Sequence, residues 1–257
     1  MDTELKQDRA AWLYGPPAQC AAPHETKAPS RLVLLGAPGV GKGTQAQLLA
    51  QRFGGCHLST GDVFRAAKAR PVDEQTPALA AALDSMRRGA LISDSLVSDL
   101  IRERIGCIGC LGGFILDGFP RTIAQAIFLE QILEEQNLTL SAVVNYELPQ
   151  AEIVTRLSGR RTCADCRATS HIFSKTPRRD GMCDHCGGNL YQREDDRAES
   201  IEVRLDAYAR STAPLISFYQ KLDLLVTISA TGSADEIHAR TMNALTARLQ
   251  PLTALRS

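Results

Sequence analysis

The chain has no excess charge of either sign: 29 Lys and Arg stand against 29 Asp and Glu. It therefore offers no global basic field to hold nucleic acid or an anionic membrane, and any anion chemistry has to be local. No run of about 18 uninterrupted apolar residues exists to cross a bilayer. A basic-then-apolar leader is missing too, since the first thirty positions mix Asp2, Glu4, Asp8 and Glu25 with prolines. These absences lead to the expectation of a soluble, cytoplasmic protein with no membrane or nucleic-acid partner. Internal repeats are also lacking.

What is present is enough apolar material for one large or two ordinary domains: 257 residues, 44% of them hydrophobic. Residues 1–30, rich in proline and without periodicity, read as an irregular tail in which Trp12 and Tyr14 are the candidates for docking. An apolar run then begins at Leu32-Val33-Leu34-Leu35 and meets Gly36, as a buried parallel strand does on entering a turn. Similar runs recur at Phe114-Ile115-Leu116, from Val143 to Leu148 and from Leu224 to Ile228, with a shorter one at Cys56-His57-Leu58. Between them Leu96, Val97, Leu100, Ile101 and Ile105 share one helical face behind Ser93 and Asp94 as N-caps, and Ile123, Ile127, Ile132 and Leu133 share another. Strand alternating with helix predicts an α/β fold whose parallel sheet is covered on both faces, with its ligand at the carboxyl ends of the strands. Two stretches break the rhythm and read as insertions: residues 66–89, interrupted by Pro71 and Pro77, and residues 161–192, polar and cysteine-bearing.

The segment from Gly36 to Thr44, GAPGVGKGT, follows the first strand and opens a helix. Glycines let backbone N–H groups wrap a phosphate, the helix start adds its dipole, and Lys42 supplies a point charge. The general motif places Ser or Thr directly after the Lys; here Gly43 stands there and Thr44 follows, which puts direct hydroxyl ligation of Mg²⁺ in question. Four of the eight cysteines form two C-x-x-C pairs, Cys163/Cys166 and Cys183/Cys186, sixteen residues apart. That spacing fits a closed tetrahedral Zn²⁺ site whose role is structural, and a reducing compartment disfavours disulfides. His171 and His185 read as bystanders, and Cys107/Cys110 as a buried small-residue pair.

Three further segments narrow the reading: Ser59-Thr60-Gly61-Asp62-Val63-Phe64-Arg65, then Leu116-Asp117-Gly118-Phe119-Pro120-Arg121-Thr122 with Gln125, then Gly159-Arg160-Arg161 ahead of the cysteines. With the phosphate loop, these resemble adenylate kinases of the bacterial long-lid type, whose lid often carries a zinc knuckle. The resemblance runs from about Leu32 to about Leu249. It implies a P-loop nucleoside monophosphate kinase with a five-stranded parallel sheet flanked by helices, formed by residues 31–60, 93–158 and 197–257. A small AMP-binding insertion would occupy residues 61–92 and a Cys₄ zinc lid residues 159–196.

The implied reaction is ATP + AMP = 2 ADP, Mg²⁺-dependent and serving adenine nucleotide homeostasis, catalysed by a monomer. Positioning and charge neutralisation carry such chemistry. By resemblance, Gly39, Val40, Gly41, Lys42, Gly43 and Thr44 hold ATP phosphates, with Arg156, Arg160, Thr169, Ser170 and Gly232 completing the ATP site. AMP would be bound by Thr60, Arg65, Ala90, Leu91, Ile92, Gly118, Phe119, Pro120, Arg121, Gln125, Arg193 and Arg204. Lys42, Arg121, Arg160, Arg193, Arg204 and Asp117 would be catalytic. Asp117 would sit by Mg²⁺ with Asp62 as its helper or an N-cap, and Asp195 and Asp196 would either orient the lid arginines or form an exposed acidic run. The family usually has Gly at the position of Ala230. Two rivals stay open: a kinase for CMP or UMP, and a zinc-ribbon nucleic-acid-binding switch. For the second, Lys175, Arg178 and Arg179 offer a small basic patch, but chiefly Phe173 and Tyr191 for stacking.

Overall fold

The computed structural model describes residues 12–13, 30–68, 83–84, 88, 92–110 and 112–254. The segment around Pro71 and Pro77, as well as Tyr14, Ala90 and Leu91, lies outside them. The five apolar runs form five parallel strands, β1 (Ser30–Gly36), β2 (Cys56–Ser59), β3 (Gly113–Asp117), β4 (Ala142–Glu147) and, late in the chain, Leu225–Ser229. Their spatial order is β2, β3, β1, β4 and then Leu225–Ser229. Side chains alternate between the two faces of β1. Val33 and Leu35 join one buried cluster with Leu58, Phe114, Leu116 and Val143, while Leu32 and Leu34 join another with Ile115, Ala142, Val144 and Ile228. The chain leaves β1 toward opposite neighbours, so the carboxyl end of β1 lies at a switch point, where open α/β sheets bind ligands.

The helices pack over these faces: α1 (Lys42–Phe53), α2 (Thr60–Lys68), α3 (Asp94–Glu103), the short α4 (Ile105–Ile108), α5 (Ile123–Glu135) and α6 (Gln150–Gly159). A three-stranded antiparallel sheet follows, from β5 (Arg160–Cys163), β6 (Thr169–His171) and β7 (Leu190–Tyr191) in the order β6-β5-β7. Then come a 3₁₀ turn at Glu194–Asp196, α7 (Ala198–Ala207), α8 (Pro214–Lys221), the last core strand β8 (Leu225–Ser229) and α9 (Ala234–Ala254).

Two departures from the sequence reading have physical causes. The apolar face from Leu96 to Ile105 is not one helix: α3 stops at Glu103, and Arg104 takes φ −114°, ψ 21° before α4 begins. The Arg104 guanidinium explains the break, donating from Nε to Trp12 O at 2.6 Å and from Nη1 to Leu100 O at 3.2 Å. Trp12 itself is docked. It is 1% exposed within the cluster that contains Val97 and Ile101, and its indole N–H donates to Ser59 O at 3.0 Å. The expectation of an irregular tail thus fails at Trp12 and Leu13, which are helical. Cys107 and Cys110 are both buried as read, and Cys110 Sγ also lies 3.8 Å from Cys56 Sγ.

Candidate active site

The apolar strand β1 delivers residues 36–41 to the switch point as a loop, and α1 begins at Lys42. Gly41, at φ +99°, occupies the left-handed N-cap position, which a side chain would strain. No side chain caps α1, so its first-turn N–H groups are left for an anion. Lys42 curls back over the loop, with Nζ donating to Gly36 O at 2.7 Å and Ala37 O at 3.0 Å.

Sheet register sets Asp117 beside this loop, because Leu34 of β1 pairs with Asp117 at the end of β3. Its Oδ2 lies 3.4 Å from where a Cβ on Gly43 would stand, so the carboxylate borders directly on the start of α1. Burial works to raise the Asp117 carboxyl, but His57 beside it, with Nε2 at 3.6 Å, and Lys42 outweigh burial and keep it below the ordinary carboxylate range. An ionised oxygen donor facing a phosphate loop is the chemistry that suits Mg²⁺.

On the β2 and β3 side, Thr60 Oγ1 donates to Gly118 O at 2.9 Å and Arg121 Nε donates to the same carbonyl at 2.8 Å. Gly118, at φ +86°, could carry no side chain: a Cβ would sit 2.9 Å from Thr60 Oγ1 and 3.1 Å from Arg121 Nη2. Arg121 remains exposed. Arg65 pairs with Asp62 at 2.5 Å across one helical turn. Ser59, not Asp62, caps α2, since Ser59 Oγ accepts from Asp62 N at 3.3 Å. Gln125 is buried, with its Oε1 accepting from Arg121 N at 2.8 Å.

The antiparallel sheet, the turn that follows it and α7 bring three more arginines. Asp196 is fully buried and takes both Nε and Nη2 of Arg160, at 2.7 and 2.6 Å. Arg204 Nη1 reaches the same carboxylate at 3.0 Å and that of Asp195 at 3.2 Å. Between the two readings of this acidic pair, the geometry selects orientation of the arginines. Arg193 Nε donates to Thr162 Oγ1 at 2.9 Å.

These cations oppose one another. Burial and the positive charges of Arg121, Arg204 and Arg160 lower Lys42 to about 8, against a partial rescue by Asp117. Arg193 is lowered to about 10 by burial, Arg160 and Arg65, while Arg121 and Arg204 are lowered as well. In Arg65 the Asp62 carboxylate overcomes burial and raises the value. Such a cluster is relieved by bringing in phosphate charge. In the nucleotide-free chain Lys42 sheds its proton as pH rises through about 8. A phosphate bound against Lys42 would restore the ordinary value, and such binding would take up a proton in this range. The Kd for ATP should therefore rise about tenfold from pH 7 to pH 9, measured by calorimetry, and the Lys42→Met variant should lack that slope.

A family model described as adenylate kinase matches residues 34–224. The chain is 46% identical over 215 residues to the adenylate kinase of Carboxydothermus hydrogenoformans, covering 84% of this chain and 99% of that protein. It is 46% identical over 212 residues to that of Geotalea uraniireducens, covering 82% and 96%, and 44% identical over 215 residues to that of Acidothermus cellulolyticus, covering 84% and 97%. The chain belongs to the adenylate kinase family. It is thus a nucleoside monophosphate kinase, a phosphotransferase of the class that interconverts ATP + AMP and two ADP. This favours neither a CMP or UMP kinase nor a nucleic-acid-binding ribbon.

In this kinase the four cysteines Cys163, Cys166, Cys183 and Cys186 place their sulfurs within 4.8 Å of one another. Cys163 and Cys186 are 3.5 Å apart, Cys166 and Cys183 3.6 Å. Sulfurs around a tetrahedral zinc at Zn–S of about 2.3 Å stand about 3.8 Å apart, so the donor set and its spread fit. Neither histidine joins the cluster. His171 Nδ1 accepts from the Phe173 and Ser174 N–H groups, both at 3.1 Å, and His185 contributes its backbone N–H to Cys183 Sγ at 3.4 Å.

Arg156 Nη2 donates to Ala230 O at 3.0 Å, so two positions read for the adenine side of ATP meet, with Gly232 two residues on at φ +100°. Thr169 and Ser170 lie in β6 of the small sheet, opposite Thr162 and Arg161. Of the acceptor positions, Phe119 is wholly buried and Ile92 packs against the core, whereas Ala90 and Leu91 lie outside the described residues. The sequence reading missed His57 beside Asp117 and the contacts of Asp94. No chain-local signal points to either, because each partner is brought in by the sheet or by a neighbouring helix. As for the expected N-caps, Ser93 holds that position without a side-chain bond to the helix N–H groups, and Asp94 turns away to α5. No described helix is long and apolar enough to cross a membrane.

Proposed function

We propose that this kinase moves the terminal phosphoryl group of ATP to AMP in line across the mouth of the phosphate loop. One observation carries the residue assignments. Lys42, Arg65, Arg121, Arg160, Arg193 and Arg204 come from separate elements and act on one another electrostatically, beside only a few carboxylates. A site that transfers a phosphoryl group needs this surplus, since little covalent chemistry falls to the protein.

In this reading residues 39–44 and Lys42 hold the ATP phosphates, Arg156 and the turn at Gly232 face its adenine, and Thr169 and Ser170 approach from the lid. Arg65 and Arg121 grip the AMP phosphate, where a planar guanidinium fork suits a dianion. Arg160, Arg193 and Arg204 neutralise the group in transit, with Asp195 and Asp196 as their supports. Gln125 and Thr60 face the acceptor base, with the backbone at residues 90–92 and 118–120. Asp117, with Asp62 nearby, would hold Mg²⁺ directly or through water, and the ion supplies further charge neutralisation to the phosphates. Residues 61–92 and 159–196 would close over the substrates and exclude water. A coupled assay should show Mg²⁺-dependent ADP formation from ATP with AMP, faster than with CMP, UMP or GMP. A pyrimidine acceptor winning by tenfold would overturn the acceptor assignment.

Zinc on Cys163, Cys166, Cys183 and Cys186 would fix the shape of the lid, four thiolates leaving no open coordination position. Chelation or Cys163→Ser should remove the metal seen by elemental analysis. It should also lower the melting temperature by about 5–10 °C, as expected for a loss of a few kcal/mol in a chain this size. An unchanged melting temperature in metal-free protein would refute the structural role.

A further inference from the structure

Gln125 is held at both ends of its amide. Its Nε2 donates to Asp94 Oδ1 at 2.6 Å, and its Oε1 accepts from Arg121 N at 2.8 Å. The Asp94 carboxylate is fixed in turn by Thr122, whose Oγ1 donates to both its oxygens at 3.1 Å. Thr122 Oγ1 also accepts from Gln125 N at 3.2 Å and so caps α5. The chemistry of the two partners decides which end of the amide is which. A carboxylate can only accept and a peptide N–H can only donate, so turning the amide over would face oxygen with oxygen and N–H with N–H. Gln125 is 3% exposed, so water does little to soften either clash.

After these bonds Gln125 has one N–H and one lone pair left, at defined positions. Adenine presents an amino donor beside a ring-nitrogen acceptor; guanine presents the reverse, a carbonyl acceptor beside a ring N–H. A freely turning amide could match either base by exchanging its ends. From this we infer that Asp94, thirty-one residues away in the chain, is a positioning residue for acceptor choice: it locks the Gln125 amide in the sense that fits adenine. The inference rests on the reading above that Gln125 faces the acceptor base.

The test compares kcat/KM for AMP and GMP at saturating ATP in the full-length protein and three variants. Asp94→Asn keeps the shape but can offer an N–H to a turned amide, so the lock weakens at that end. Its AMP to GMP ratio should fall about tenfold, the worth of one such hydrogen bond. The change should lie mainly in the KM for AMP, with the KM for ATP within twofold of the parent. Gln125→Ala should lose most of the discrimination, and adding Asp94→Asn to it should change the ratio no further. Should Asp94→Asn not fold, the same ratio is read from Asp94→Ser, which keeps a residue suited to a helix start. If the folded Asp94 variant keeps the parent ratio within twofold while Gln125→Ala loses it, the lock is wrong and the role of Gln125 stands. If Gln125→Ala itself leaves the ratio unchanged, the base-facing reading fails and the lock goes with it. A role of Asp94 confined to helix stability would lower the melting temperature without moving the ratio.

Discussion

Replacing Arg121 or Lys42 by Ala should lower kcat/KM for ADP formation about 10³-fold, the scale for deleting one preorganised charge that meets a transferring phosphoryl group. The fold should survive both changes. Arg121 is exposed, and its Nε contact goes to Gly118 O, which keeps a second donor in Thr60. Lys42 donates only to two loop carbonyls, and its charge is disfavoured in the nucleotide-free chain, where its pKa falls to about 8. Because its pKa is depressed from 10.5, the protonated Lys42 opposes folding at pH 7, and that opposition fades only as pH rises from about 8 toward 10.5. Lys42→Ala should therefore melt at or above the temperature of the parent at pH 7, in the absence of nucleotide. Thermal scans beside steady-state kinetics check both halves. Near-normal rates would remove these residues from the transfer step, and a collapsed melting curve would show them to be structural.

The second large effect is expected at Asp196. Its carboxylate is fully buried and serves Arg160 through two bonds and Arg204 through a third. Removing it takes a buried carboxylate from both arginines, and breaking a buried ion pair costs about 3–5 kcal/mol. The damage should be both local and catalytic. Arg160 opens β5 and Arg204 lies on α7, so Asp196→Ala loosens the joint between the small sheet and the core. A misplacement of about 1 Å in a charge meeting the reaction can cost about 10²-fold. The variant is thus expected to lose about 10²-fold in kcat and to become sensitive to proteolysis between residues 159 and 196. Asp195→Ala removes a less buried carboxylate whose close ion pair is with Arg204, and should cost less. Equal effects from the two variants would contradict the assignment of Asp196 as the common support.

Much of this protein was legible in order along the chain. The phosphate loop, the five strand runs and the paired cysteines are local patterns, because a strand needs only its own apolar residues and a loop only its own glycines. Asp117 could be placed by the same logic, as the polar residue that ends a buried run. Their arrangement into one site follows from the sheet, whose order sets β3 and β4 on either side of β1.

What only the tertiary structure decided depends on pairs far apart in sequence. Asp195 and Asp196 read almost as well as an exposed acidic run until packing buried Asp196 under Arg160 and Arg204. Asp94 looked like a helix cap until α5 brought Thr122 and Gln125 to it. The single Trp looked like part of a loose tail, yet it lies under α3 with its N–H on Ser59. Local propensity cannot report such choices, because a carboxylate or an indole gains its partner only when a distant segment folds against it. The sequence on its own determined which chemistry is available; three-dimensional packing determined which charges and amides are held still enough to carry it out.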